Sequence, residues 1–159
     1  MKNLLFLLLI STCSIQFNNA QSQWQRTIGG INHDQANCII QTSDGGYAAA
    51  GYTFSYAAGY EDMYIIKFNA AGTIQWSKTF GSSGADIANS IIQTSEGGYA
   101  IAGSTYNYST STADLFIVKI DAGGTIQWVT NINRTAYDYA CSIVQTSDGG
   151  FAIGGMSAT

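Results

Sequence analysis

Three aspartates, Asp34, Asp86 and Asp138, stand 52 residues apart. A carboxylate recurring at one fixed position can line a ring and bind a cation, or it can accept hydrogen bonds from nearby backbone N–H groups and fix its loop. Calcium loops gather several acids into one loop, whereas each segment here holds one. Tyrosines are the second candidate. Phe54, Tyr56 and Tyr60 fall in one segment, and Tyr106 and Tyr108 in its counterpart 52 residues on. Tyr106 and Tyr108 align with Phe54 and Tyr56, whereas Tyr60 aligns with Thr112. Exposed tyrosines among Ser, Thr and Asn suit recognition of a sugar or a protein; the alternative is packing over the base of their own loop.

Catalytic chemistry finds little to work with. His33 is the sole histidine, and its counterparts are Ala85 and Tyr137. A Ser/His/Asp or Cys/His arrangement needs a partner for that ring, and zinc needs several His or Cys. No catalytic residue, metal ligand or cofactor is expected. The acids fall in turns and at strand starts, apart from Glu61, which precedes one. Asn107-Tyr108-Ser109 and Asn133-Arg134-Thr135 match the N-glycosylation triplet, a match too short to carry weight alone.

The elements that position these residues recur with the same period. DQANCIIQTSDGGY from Asp34, DIANSIIQTSEGGY from Asp86 and DYACSIVQTSDGGF from Asp138 are near copies, and Trp24, Trp76 and Trp128 share the spacing of 52. A period of this size marks a solenoid, propeller or array. The units run over about 34–85 and 86–137, with a third over 138–159. In the second copy, apolar runs at 88–94, 99–105, 114–121 and 125–132 have strand length and no helical spacing. Ser-acid-Gly-Gly turns join the first two runs, with Gly45 and Gly46, Gly97 and Gly98, and Gly149 and Gly150 supplying the backbone freedom. Each unit reads as a four-stranded antiparallel meander. An extra fourth-type strand at 23–28 makes eleven strands in all.

Packing signals differ between the strands. The first run is apolar on both faces (Ile39-Ile40, Ile91-Ile92, Ile143-Val144) and is expected to be central and most buried. The second is rich in small residues that let neighbouring sheets approach closely. The fourth alternates, with Ile74, Trp76, Lys78 and Phe80 on one face, as an outer strand does. The three tryptophans are expected on strands, packed between successive units. The segments at 54–61 and 106–113 are expected as long loops sharing one end of the meanders with those at 29–35, 81–87 and 133–139. Binding residues concentrate on such loops.

The pattern W-x-K/R-T-F/I-G-G…D-x-A-x-S-I-x-Q-T-S-D-G-G-Y…A-G-x-T…D-x-Y/F-I-x-K…G-x-I-x-W resembles bacterial secreted β-propeller repeats from Trp24 onward. The resemblance implies an all-β fold of four-stranded blades and no common reaction. The residues after 20 amount to about 2.7 units, fewer than the roughly four to eight blades of a propeller. The chain is therefore expected to be the N-terminal part of a longer protein, and alone to form an open arc that self-associates. Its partners are further repeats of the same chain or, less favoured, other copies of itself.

Composition bounds the rest. Charged residues are 10%, aromatics 13%, prolines 0, and the net charge is −4, with six basic residues and hence no footprint for nucleic acid. Residues 1–20 read as a signal peptide, with Lys2, the apolar run 4–10 and Ala20 before the site of cleavage. The expected location is secreted or at the outer cell surface; the alternative is a lipoprotein anchored through Cys13. No run reaches the length of a membrane span. Cys38 and Cys141 are not at equivalent positions and are expected to be small buried residues. The expected function is a secreted or surface-exposed propeller module that binds or spaces without catalysis, its partner an unknown protein or glycan. The alternatives are a lectin-like sugar binder using the tyrosine segments, and part of an exported enzyme whose active site lies in other blades.

Overall fold

The computed structural model describes residues 24–132 and 137–158. The signal peptide, Cys13 and the triplet at Asn133 lie outside these residues. The described chain is all-β, with ten strands: β1 (Asp34–Gln41), β2 (Tyr47–Thr53), β3 (Asp62–Phe68), β4 (Ile74–Phe80), β5 (Ala85–Gln93), β6 (Tyr99–Asn107), β7 (Thr112–Ile120), β8 (Ile126–Ile132), β9 (Tyr137–Gln145) and β10 (Phe151–Ala158). β1 to β4 form an antiparallel meander. β5 to β8 form a second one, and the β9–β10 hairpin joins it through a single parallel bridge, Ala113 to Tyr137. No helix among the described residues is long and apolar enough to cross a membrane.

The hairpins follow from their turn residues. Gly45, Gly97 and Gly149 hold φ of 77°, 85° and 85°, a region that favours glycine. Each follows an acid that also serves packing. Asp44 and Glu96 ion-pair with Lys67 and Lys119, at 2.8 and 3.5 Å. Both lysines are buried, so their charge needs that partner; Lys67 Nζ also donates to Phe68 C=O and to Gln75 Oε1, each at 2.9 Å.

Both middle sheets are apolar on two faces, and the core lies between successive units. Met63 and Ile65 of β3, with Ala48 and Ala50 of β2, meet Ile101, Phe116, Val118 and Ile120 of the second meander. On its other side that meander sets Ala100, Ala102 and Ile117 against Ala140 and Ile143 of β9. Three ties recur at each junction. Asn37 Nδ2 donates to Ala88 C=O at 2.9 Å, and Asn89 Nδ2 to Ala140 C=O at 2.8 Å. Ser43 N–H donates to Gln93 Oε1 and Ser95 N–H to Gln145 Oε1, both at 2.8 Å. Trp76 meets Tyr99 at 5.9 Å and Trp128 meets Phe151 at 5.7 Å, as Trp24 meets Tyr47 at 5.6 Å.

The asparagine tie rests on a bulge. The register of β1 shifts at Asn37 and that of β5 at Asn89, so one extra residue turns its side chain toward the next unit. The bulge pushes a carbonyl into the neighbouring strand. A Cβ on Gly51, Gly103 or Gly155 would lie 1.8, 1.8 or 2.0 Å from the carbonyl oxygen of Gln35, Ile87 or Tyr139. The small second run thus answers two needs: alanines for close sheets, and one glycine for the bulge.

Several expectations are corrected. Residues 24–28 form no strand. A fourth-type strand pairs with a third strand, as β4 does with β3, and no strand pairs with this segment among the described residues. Instead Trp24 and Ile28 lie over Ala49, Ile66 and Phe68, and Arg26 Nε donates to Gly72 C=O at 3.2 Å. The first strands are not the most buried; β2, β3, β6 and β7 are. Ile91 and Ile143 are 1% and 2% exposed beneath the preceding unit, whereas Ile39 is 59% exposed. The segment 106–113 is no long loop, because β6 runs to Asn107 and β7 starts at Thr112. Cys141 is exposed and Cys38 half-buried, both unpaired. Cys141 sits at the bulge of β9, where the other units carry their outward-reaching asparagines.

Gly103→Ala is expected to lower stability by about 1–3 kcal/mol, the cost of overpacking. Gly154, at the position of Ala50 and Ala102, has nothing within 4 Å of a built Cβ, so Gly154→Ala is expected to be neutral or stabilising by about 0.4–1 kcal/mol. Urea titration of the two variants reads the contrast.

Candidate functional site

Asp34 and Asp86 anchor the segments that precede β1 and β5. Asp34 Oδ2 accepts from Gly30 N–H at 2.8 Å and from Ser55 Oγ at 2.7 Å, and Oδ1 accepts from Thr53 Oγ1. Burial alone would raise this carboxyl, but the bonds from Thr53, Ser55 and Gly30 outweigh it and hold the pKa down to about 2. Asp86 Oδ2 accepts from Ser82 N–H at 2.7 Å and from Ser82 Oγ at 3.2 Å. Asp138, on β9, is buried. No group of three or more His, Cys, Asp or Glu placed to hold a metal occurs among the described residues. The bonds of Asp34 and Asp86 are those of the loop-fixing alternative.

A second recurring aspartate, a strand-start acid of the repeat pattern with no site role expected of it, stands near each junction. Asp62 begins β3 and is 3% exposed; Asp86, of the next unit, is 1% exposed. Both approach Gly81, where a Cβ would lie 2.2 Å from Asp62 Oδ1 and 2.9 Å from Asp86 Oδ2. Asp62 receives Ala58 N–H at 2.9 Å, while its Oδ1 and Asp86 Oδ1 have no hydrogen-bond partner. Burial raises the Asp62 carboxyl above its ordinary value; the Ala58 bond opposes this and the Asp86 charge adds to it. The signal was available, since Asp62 and Asp114 share the 52-residue spacing.

The tyrosines divide into two places. Tyr56, 51% exposed, folds back along the surface of its own loop, its hydroxyl donating to Gly29 C=O at 3.0 Å and its ring 5.5 Å from Tyr64. It covers the base of its own loop. Tyr60 and Tyr108 come together from successive units, 4.2 Å between ring centroids, and Tyr106 stands edge-on to Tyr108 at 4.8 Å. Tyr137 continues the row, 6.4 Å from Tyr106. Tyr60 and Tyr108 remain 52% and 47% exposed. Burial, with Glu61, Tyr60 and Tyr106 nearby, raises the Tyr108 phenol above its ordinary value, so it stays a neutral O–H donor.

Beneath these rings lies a cleft of about 430 Å³. Tyr60, Tyr106 and Tyr108 form its aromatic wall, and Asn107, Asp114 and Asn131 its polar one. Asp114 and Asn131 were not singled out from sequence, because neither type is distinctive until β7 and β8 are placed side by side. His33 lies apart from the cleft, its Nδ1 3.3 Å from the Tyr52 hydroxyl.

No family model matches the chain. Over 112 residues, 62% of its length, it is 27% identical to the regulatory protein FlaEY of Caulobacter vibrioides, of which it spans 12%.

The Asp62–Asp86 approach gives a pH dependence with a definite sign. The folded state holds the Asp62 proton more tightly than the unfolded chain, so that contribution is complete below the ordinary carboxylate value of 3.8 and is lost as pH rises through the raised folded value. In Asp62→Asn the carboxyl is gone and the amide can donate to the unpartnered Asp86 Oδ1. Its thermal midpoint is expected to exceed the wild type's at pH 7 and to match it near pH 3, which calorimetry across that range reads directly.

Proposed function

We propose that this chain is a secreted or surface-exposed β-propeller repeat module, a non-catalytic scaffold that presents a binding face at the end holding Tyr60, Tyr106 and Tyr108. The observation that carries the propeller reading is the way successive units meet. The first strand of each later unit crosses the face of the unit before it, β5 against β1, β2 and β3 and β9 against β5, β6 and β7, while the outer strands β4 and β8 are not close neighbours. Units that meet through a first strand and stay apart at their last support a fanned, blade-like arrangement. The recurring asparagine, glutamine and tryptophan ties support a fixed angle between them. The leader-like residues 1–20 support export.

A binding role is supported by where the chain invests its exposed aromatics. The exposed Tyr60 and Tyr108 gather with the half-buried Tyr106 across a junction, around a cleft with polar groups on its wall. Sites of this size and composition take small ligands or side chains, and rigid scaffolds place them on connecting segments.

Cell fractionation of the native host and electron microscopy of the purified full protein test the two parts. Export predicts a chain starting at Gln21 in the medium or removed from intact cells by protease. The propeller predicts units fanned about a central axis; a straight stack of sheets overturns it, and a cytosolic chain retaining Met1 overturns export.

A further inference from the structure

We infer that the cleft between the first and second units binds a neutral carbohydrate, a pyranose stacked on the Tyr60–Tyr108–Tyr106 wall with its hydroxyls held by Asp114, Asn107 and Asn131. This deepens the reading of that end as the binding face and rests on it. At about 430 Å³ the cleft falls in the range of roughly 300–1,000 Å³ typical of small-molecule sites.

The argument starts from a difference between equal-length segments. In the first unit, residues 54–61 leave the ladder, and Ala58 N–H caps Asp62, which becomes buried. In the second, the same number of residues extends β6 and β7 as far as the Asn107–Thr112 pair. No capping loop then covers Asp114, the counterpart of Asp62. Asp114 lines the cleft half-buried, with its Oδ1 shut off from solvent and without a hydrogen-bond partner. The carboxylate at that wall is the acceptor that a ligand hydroxyl entering the cleft would meet.

Charge and topology select the donor. Among the described residues the cleft lining has one carboxylate, Asp114, and no lysine or arginine, so phosphate, sulfate and uronate groups meet the like charge of Asp114. A peptide added as a strand needs an unpaired ladder edge, and β6 and β7 are each paired on both sides along the cleft. A neutral sugar fits what remains. Its C–H face packs on a tyrosine ring, and its hydroxyls donate to the carboxylate while exchanging hydrogen bonds with the asparagine amides.

The test is an array of immobilised neutral, sulfated and uronic glycans probed with the full chain, followed by titration calorimetry with the best neutral oligosaccharide. Wild type is expected to bind neutral glycans, with affinity unchanged between about 0.1 and 0.5 M salt. Tyr108→Ala and Asp114→Asn are expected to weaken binding at least about tenfold, whereas Tyr56→Ala, outside the cleft, changes it less than about twofold. Melting curves confirm that each variant is folded, and Tyr60→Ala, on an exposed segment, replaces any that is not. Binding only to anionic glycans, binding to none, or equal affinity of wild type and the cleft variants overturns the inference. If the fanned units and export hold while glycan binding fails, the scaffold reading stands and the sugar assignment alone falls.

Discussion

A sheet that is apolar on both faces cannot be completed by its own strands. In the second meander Ile101, Phe116, Val118 and Ile120 point one way and Ala100, Ala102 and Ile117 the other, and both sets are buried only because another unit covers them. The remaining features serve that requirement. Alanines on β2 and β6 bring the sheets close. The bulges at Asn37 and Asn89 reach across to the next backbone, and the glycines opposite make room for the displaced carbonyls. Burial of this kind is non-directional, so the polar ties are what fix one orientation between units.

Much of this was written in the residue pattern. The period of 52, the strand lengths and the acid-Gly-Gly turns were legible because each depends on local chemistry. The burial order was not. Ile39-Ile40 and Ile91-Ile92 are the same dipeptide, yet Ile39 is exposed and Ile91 is covered, because burial depends on what stands beside the strand rather than on the strand. Trp24 has the residue type of a strand position, yet no strand pairs with its segment among the described residues. The role of Asn37 and Asn89 was also hidden, since a bulge is visible only as a register shift between two strands.

The candidate site was legible in part. Tyrosine-rich segments announced an aromatic surface, but the sequence could not separate Tyr56, which folds back to Gly29, from Tyr60, which meets a ring of the next unit. The reason lies in how equal-length segments compete for the ladder. Ser55 is drawn to Asp34, and the following Ala-Ala-Gly has little strand preference. Its counterpart Asn107 has no such tie, and the Thr- and Tyr-rich residues around it continue β6 and β7. One local hydrogen bond thus decides whether an aspartate is capped or left to face a cleft.

The asparagine tie has a consequence for how such a chain can grow. Its donor and acceptor are 51 residues apart, and the glutamine tie spans 50, so each unit carries one half of both joints at its start and the other half ready for the unit before it. Copying a whole unit in tandem therefore yields a matched joint at once, with no compensating change elsewhere. Gaining or losing a few residues inside a strand would instead mis-set every joint across that unit. Unequal recombination between identical stretches, rather than gradual lengthening, is the path this architecture leaves open, and the near-identity of the first-strand and turn segments is the trace such a path leaves behind.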